Sequence, residues 1–263
     1  MKKGGETMKT RFDVIGKSYE KALKLYPESR TDAREVLKLA HIKGDEKMLE
    51  ITAGSGFMSL QIAKLLKNGQ LTAQDISPQM TAIAKEKFKK SNLRNINFYV
   101  TGDMSFPELA DASFDKAACL GGFHHIEEPV KLFRTIRRVL KNGGTFSVGD
   151  FADDSPVQRY FDERIHKLTT TGHSGLFLTE SQMLNFGRFG NLKTLSVERK
   201  QIPFIFRAEK DAAIFYKLVH ALVQTEDEVK KDIENYMGLY KTGEWILVPM
   251  DYVFSIFSSR TSA

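Results

Sequence analysis

The chain has a single cysteine, Cys119, among its 263 residues. One thiol excludes an intrachain disulfide framework and a cysteine-rich metal cluster. No uninterrupted apolar run approaches the roughly 20 residues that span a bilayer. The stretch MKKGGETMKT carries charge with no apolar segment behind it, so no secretory leader is expected. These absences point to the reducing cytoplasm and to no membrane partner. A chain of this length buries roughly three quarters of its extended surface, so a core forms without a covalent staple.

A strong charge of either sign is also missing. The formal net charge of +6 permits a nucleic-acid partner without demanding one. The basic excess gathers in Lys85, Lys87, Lys89 and Lys90 and in Arg134, Arg137 and Arg138. Both groups fall on segments with helical spacing, where a solvated basic face accounts for them. Two phosphate-binding signatures are absent as well. No Gly-Lys-Ser/Thr triplet exists for a P-loop, and Ser59 stands where a dinucleotide fingerprint needs its third glycine.

The first 150 residues alternate between two periods. Short apolar runs at 47–51, 71–75, 96–100, 114–120 and 145–148 have strand length and are bounded by Gly, Asn or Asp. Between them Met58, Ile62 and Leu65, and then Phe133, Ile136 and Leu140, recur at helical spacing. Asn68-Gly69 and Asn142-Gly143-Gly144 are expected to stop those helices. Such alternation predicts an α/β fold with a doubly wound, mostly parallel sheet, whose ligands bind at the carboxyl ends of the strands. Ahead of it, residues 13–39 read as two helices separated by Pro27. Residues 151–190 show no clear period. Strand-like runs at 192–206 and 245–257 and helical runs at 211–222 and 227–240 follow, with Pro249 marking the last strand as an edge strand or two short ones. The expected organisation is a helical cover over 1–44, a ligand-binding core over 45–150, and, over 151–263, cover insertions and closing strands of the same domain.

The central segment is Leu49-Glu50-Ile51-Thr52-Ala53-Gly54-Ser55-Gly56-Phe57, a strand running into a glycine turn and a helix. Glycines there admit positive φ and let a ligand approach the backbone. The helix start offers unpaired N–H groups to a ligand carboxylate. Asp75 ends the second strand, where a carboxylate can accept from both hydroxyls of a ribose. Gly102-Asp103-Met104 ends the third, where another carboxylate can accept from an adenine amino group. Each acid alone is as readily a turn or helix cap; Glu50, Asp75 and Asp103 ending successive strands form a pattern.

In that order, EITAGSGF, QDISPQM, GDM, FDKAACLGGFHHI and LKNGGTF make the segment 45–150 resemble the class I S-adenosylmethionine-dependent methyltransferases, especially the ubiquinone/menaquinone-biosynthesis type. The resemblance implies a Rossmann-like sheet of seven strands and S-adenosylmethionine as cofactor. Gly54 and Gly56, with Ala53, would cradle its methionine part and Glu50 would hold the amino group, often through water. Asp75 would take the ribose, Ile76 and Met80 would flank the adenine, and Gly102, Asp103 and the Met104 backbone would read its edge. Leu120 would bring a carbonyl near the sulfonium. Thr52 departs from the pattern, standing where the family usually has its first glycine.

The implied reaction is methyl transfer to a small-molecule metabolite. A cyclase or lyase on the same fold is the alternative, and an RNA-modifying methyltransferase the lesser one. Amino-methylating nucleic-acid enzymes of this class usually carry an Asn/Asp-Pro-Pro-aromatic motif after the fourth strand, where this chain has Leu-Gly-Gly-Phe, and no Pro-Cys nucleophile exists for a cytosine ring. Cys119 reads as a small core residue. His124 is a candidate base beside His125, yet the family carries such pairs across unrelated substrates, which favours capping or packing. Asp150, His166 and His173 are further candidates. Metal ligation is set aside because no third ligand with suitable spacing stands near the pair. Substrate contacts are expected from Tyr19, Tyr26, Arg30 and the aromatics of the cover, most of which would simply pack it. Oligomeric state is not legible.

Overall fold

Capping residues and prolines set the helices of the N-terminal cover. The computed structural model describes residues 10–259; residues 1–9, on which the reading of the charged N-terminal stretch rests, and residues 260–263 lie outside them. Helix α1 (Arg11–Leu25) begins at a capping box in which the Thr10 hydroxyl accepts from the Asp13 backbone and the Asp13 carboxylate accepts from the Thr10 N–H at 2.8 Å. Pro27 follows it, and α2 (Asp32–Ala40) ends at His41 with φ 46°. Two helices are present where two were expected.

The core then runs β1 (Lys47–Ile51), α3 (Phe57–Leu65), β2 (Gln70–Asp75), α4 (Pro78–Ser91), β3 (Ile96–Val100), β4 (Phe114–Leu120), α5 (Pro129–Val139) and β5 (Leu140–Phe151). These five strands pair in parallel in the order β3-β2-β1-β4-β5. Strand order therefore reverses between β1 and β4, and the crevice outside their carboxyl ends is where such a sheet takes its ligand. Side chains alternate across the sheet: Met48 joins one buried layer with Val36, Ile62 and Leu71, and Leu49 and Ile51 join the other with Phe133, Ile136 and Phe146. Both faces are covered, which is why these strands read as near-continuous apolar runs.

Helix α5 stops at Val139, three residues before the Asn-Gly-Gly expected to end it. The carbonyls of Arg138 and Val139 accept from the N–H groups of Ala112 and Ser113, so they are taken from the helix and Leu140 turns extended.

Residues 151–190, without period in the sequence, contain α6 (Pro156–Tyr160), a π turn (Phe161–Ile165), α7 (His166–Leu168) and α8 (Glu180–Phe189). The π turn breaks the 3.6-residue repeat, and α8 is a short helix announced chiefly by the capping pair Thr179 and Gln182. Then follow β6 (Lys193–Phe206), α9 (Glu209–His220), α10 (Glu226–Tyr236), β7 (Tyr240–Thr242) and β8 (Trp245–Ser258). Seven strands make the path β3-β2-β1-β4-β5-β8-β6, and three-residue β7 pairs with β8 as an eighth.

Strand β8 is not an edge. It is one 14-residue strand lying antiparallel between β5 and β6. Pro249 is tolerated because it faces Pro203 across the β6 pairing, and on the other side it falls between Leu247, paired with β7, and Tyr252, paired with β5. Among the described residues no helix is long and apolar enough to cross a membrane.

Candidate active site

Between β1 and α3 the chain turns through residues 52–56, and three of them carry positive φ: Thr52 at 56°, Gly54 at 56° and Gly56 at 78°. A Cβ on Gly54 would have nothing within 4 Å, whereas one on Gly56 would meet Ala84 at 3.1 Å. Gly54 thus opens a space and Gly56 lets α3 close onto α4. Thr52 is a β-branched residue in a region that disfavours it. Its hydroxyl donates to the Ile51 carbonyl at 2.6 Å and lies 3.2 Å from the Cys119 sulfur.

A cavity of about 680 Å³ opens over this turn. It brings together Glu50, Ala53, Gly54, Asp75, Ile76, Met80 and Leu120, named from the sequence for the cofactor, with Tyr19 and Arg30, named for the substrate, and adds Phe12 from the cover and His125 from the β4 loop. Gly56 stands behind it.

Asp75 anchors the cavity wall. Its Oδ2 accepts from the Gly54 N–H at 2.7 Å and its Oδ1 from the Ser77 N–H at 2.8 Å, so the carboxylate plane is fixed while each oxygen keeps acceptor capacity. Burial pushes its pKa up. Glu50 is 1 % exposed, and its Oε2 has no hydrogen-bond partner among the described residues. Burial raises its carboxyl to about 8. The Ser59 hydroxyl works against that rise, and the buried Oε2 left without a partner at the cavity wall is a site for a cation or a donor.

Asp103 is placed elsewhere. It accepts from the Ser105 N–H at 2.9 Å, faces Lys131 at 3.5 Å, and its side chain stays half exposed. Neither Asp103 nor Met104 lines the cavity; Gly102 touches it only through Ile76, whose side chain a Cβ on Gly102 would meet at 3.0 Å.

A second cavity of about 560 Å³ adjoins the first, sharing Phe12, Tyr19, Arg30, Gly121 and His125. Phe151, Phe161, Phe204, Phe215, Tyr216 and Met250 give it an apolar wall, and Arg11, His124, His173 and His220 give it polar points. Phe186, Phe206, Phe177 and Tyr160 of the cover pack into the core instead, and Phe189 is exposed.

His124 Nδ1 lies 2.8 Å from Asp150 Oδ1, and its backbone N–H donates to Asp150 Oδ2 at 3.1 Å. Burial pushes the Asp150 carboxyl up, but His124 and the N–H groups of His124 and Phe151 outweigh it and hold the pKa below the ordinary value. Burial takes His125 down to about 3 and His173 further, so both are neutral, weakly basic rings. His166 lies outside both cavities, with its Nδ1 against the His173 backbone. The expectation that the His pair lacks a third partner is overturned: the fold carries His173 to it, and one ring nitrogen from each of His124, His125 and His173 lies within 4.8 Å of the others.

Two substrate candidates change status. Arg30 donates to both oxygens of buried Asp32 at 2.6–3.0 Å and to the Tyr19 hydroxyl at 3.0 Å, so much of its capacity is spent within the protein. Tyr26 lines neither cavity and stands edge-on to Phe206 and Phe215 at 6.1 and 6.3 Å. Cys119 is fully buried, and burial pushes its thiol up, away from reactivity. The basic clusters are partly consumed as well. Lys87 pairs with buried Glu20 at 2.9 Å, and Arg138 holds Asp111 and three backbone carbonyls.

Arg11, Phe12 and His220 line the second cavity without having been singled out. Arg11 and Phe12 lie ahead of the helical period read from residue 13 and form the first turn of α1, and His220 sits on a helix whose period explains it as cover; only the fold turns them inward.

Residues 48–144 match the family described as "Methyltransferase domain". The chain is 26% identical over 168 residues to the uncharacterized methyltransferase YcgJ of Bacillus subtilis, covering 64% of each. It is 27% identical over 145 residues to the demethylmenaquinone methyltransferase of Listeria welshimeri, covering 53% of this chain and 60% of that one. The chain thus spans less than two thirds of these relatives. Among solved structures, the Bacillus subtilis YcgJ protein superposes with a TM-score of 0.63 at 17% identity, over 89% of this chain and all of the other. The [4+2]-cyclase SpnF superposes with 0.62 at 17%, over 97% and 98%. These likenesses establish the Rossmann-like fold.

Proposed function

We propose that this chain, whose residues 48–144 match the methyltransferase-domain family, binds S-adenosylmethionine in the cavity above the 52–56 turn and transfers its methyl group to a small-molecule metabolite. The observation that carries the reading is the pairing of two buried acids at one cavity: Glu50 with an unpartnered oxygen and Asp75 held in plane by the Gly54 and Ser77 N–H groups. One suits an ammonium group and the other a pair of vicinal hydroxyls, and the open space at Gly54 leaves room between them. Ile76 and Met80 offer apolar contact on the Asp75 side.

When bound, the cofactor supplies a methyl group on a positively charged sulfur. Leu120 lines the first cavity and its neighbour Gly121 lines both, and the aromatic walls of the second would seat the acceptor. The chain's own contribution is to hold donor and acceptor in line, at roughly 3–3.5 Å, and to exclude water. Phe12, Tyr19 and Arg30 border both cavities.

The relative names favour a methyl acceptor of metabolite size, and the cyclase neighbour shares only the fold. Product analysis by mass spectrometry on incubation with labelled S-adenosylmethionine and candidate metabolites tests the reading. A labelled, methylated product with S-adenosylhomocysteine supports it; an unmethylated product, or methylthioadenosine, overturns it in favour of cyclase or lyase chemistry.

A further inference from the structure

We propose that His124, His125 and His173 form a binding site for one divalent first-row transition-metal ion at the edge of the acceptor cavity. The three residues come from two loops that the fold brings together. His124 and His125 follow β4, and His173 sits in the loop after α7. One ring nitrogen from each lies within 4.8 Å of the other two, and the three rings are 3.9, 5.4 and 5.1 Å apart at their centroids. Imidazole nitrogens suit zinc and its neighbours in the transition series, and three of them are a common protein ligand set that leaves one position open.

The surroundings match what a metal-bound histidine needs. A ligating imidazole uses its other nitrogen to hold a carboxylate or a backbone carbonyl, which fixes ring and tautomer. His124 does so through Nδ1 to buried Asp150, and His125 through Nδ1 to the Ser174 carbonyl at 3.2 Å. In both, Nδ1 is the engaged nitrogen, which leaves Nε2 as the one to ligate. The loop bearing His173 is docked against His124: the Leu176 N–H donates to the His124 carbonyl at 2.7 Å, and a Cβ on Gly175 would lie 2.6 Å from the His124 ring. Only glycine lets that loop come so close. Arg11 and Arg30 face the same cavity, and the Asp150 carboxylate behind His124 supplies opposing charge.

The site stands independently of the methyl-transfer reading. Its use rests on that reading: an acceptor hydroxyl or thiol occupying the open position would shed its proton to solvent more readily.

Titration of untagged, chelator-treated protein with zinc, followed by calorimetry, tests the proposal, with cobalt as a spectroscopic probe of nitrogen ligation. One equivalent bound, lost in His173→Ala and retained in His41→Ala, is expected. Asp150→Asn is expected to weaken binding by about 10- to 100-fold, the usual effect of removing an outer-shell partner. Zinc affinity equal in wild type and His173→Ala, or no binding by wild type, would overturn the site. Should His173→Ala unfold, the cobalt spectrum of the wild type decides: visible bands of low-coordinate nitrogen ligation support it, and a spectrum of hydrated cobalt refutes it. No outcome here bears on whether the methyl group is transferred.

Discussion

A Cβ built on Gly122 would stand 2.6 Å from both the Cβ and the hydroxyl oxygen of Thr52. The two residues therefore constrain each other. Thr52 holds a left-handed backbone at φ 56°, which costs a β-branched side chain on the order of 1–3 kcal/mol, and the absent side chain of Gly122 makes room for it. Gly122 itself has φ −142°, which any residue can adopt, so its requirement is spatial.

Gly122→Ala is expected to cost about 1–3 kcal/mol by overpacking against Thr52. In a Thr52→Gly background the same change should cost at least about 1 kcal/mol less. Urea unfolding of the four proteins in a double-mutant cycle measures this. Additive effects would show that the two positions are not coupled.

Glu50 gives a pH dependence with a defined sign. Its folded carboxyl titrates near 8, against an ordinary value of 4.5. Between those pH values the folded protein holds a proton that the unfolded chain has released, so stability contributed through Glu50 falls as pH rises from about 4.5 to about 8. Glu50→Gln should remove that part of the slope. The unfolding free energy of the wild type relative to the variant, measured across this range, should fall steadily as pH rises; a constant difference contradicts the assignment.

Binding should report the same group. If Glu50 takes the amino group as proposed, it must do so as a carboxylate, so at pH 7 S-adenosylhomocysteine should release protons on binding, and its affinity should rise toward pH 8. Calorimetry in buffers of different ionisation enthalpy measures the release. Glu50→Gln should lose it while still binding, though more weakly.

Asp103 separates what the resemblance implied from what the fold provides. It caps its own turn at Ser105 and faces Lys131 in solvent. Asp103 lines neither cavity, so Asp103→Ala should change S-adenosylhomocysteine affinity by less than about fivefold, or about 1 kcal/mol. A larger loss would return Asp103 to the adenine edge.

The parallel core was legible because its signals are local: strand runs bounded by glycine, and Asp75 directly ending a strand. Glu50 and Asp75 meet because successive parallel strands deliver their carboxyl ends to one rim, and Met80 joins them from the first turn of the helix after Asp75. The interior place of β8 was not legible. Pro249 alone argues for an edge, and only the register opposite Pro203 shows how an interior strand absorbs it. The second cavity was hidden for a similar reason. His173 lies far along the chain from His124, in a segment whose period a π turn interrupts, so nothing near the pair announced a third imidazole. Thr52 was visible as a departure, but its compensation by Gly122 needed coordinates.

The central claim is that Asp75 holds the ribose of the cofactor, and calorimetry with S-adenosylhomocysteine tests it most directly. Each charge-assisted hydrogen bond contributes about 1.5–3 kcal/mol, so Asp75→Ala, which removes one or both of those to the ribose hydroxyls, should bind at least about 10-fold more weakly than wild type, with thermal unfolding confirming an intact fold. Equal affinity in the two proteins would contradict the account.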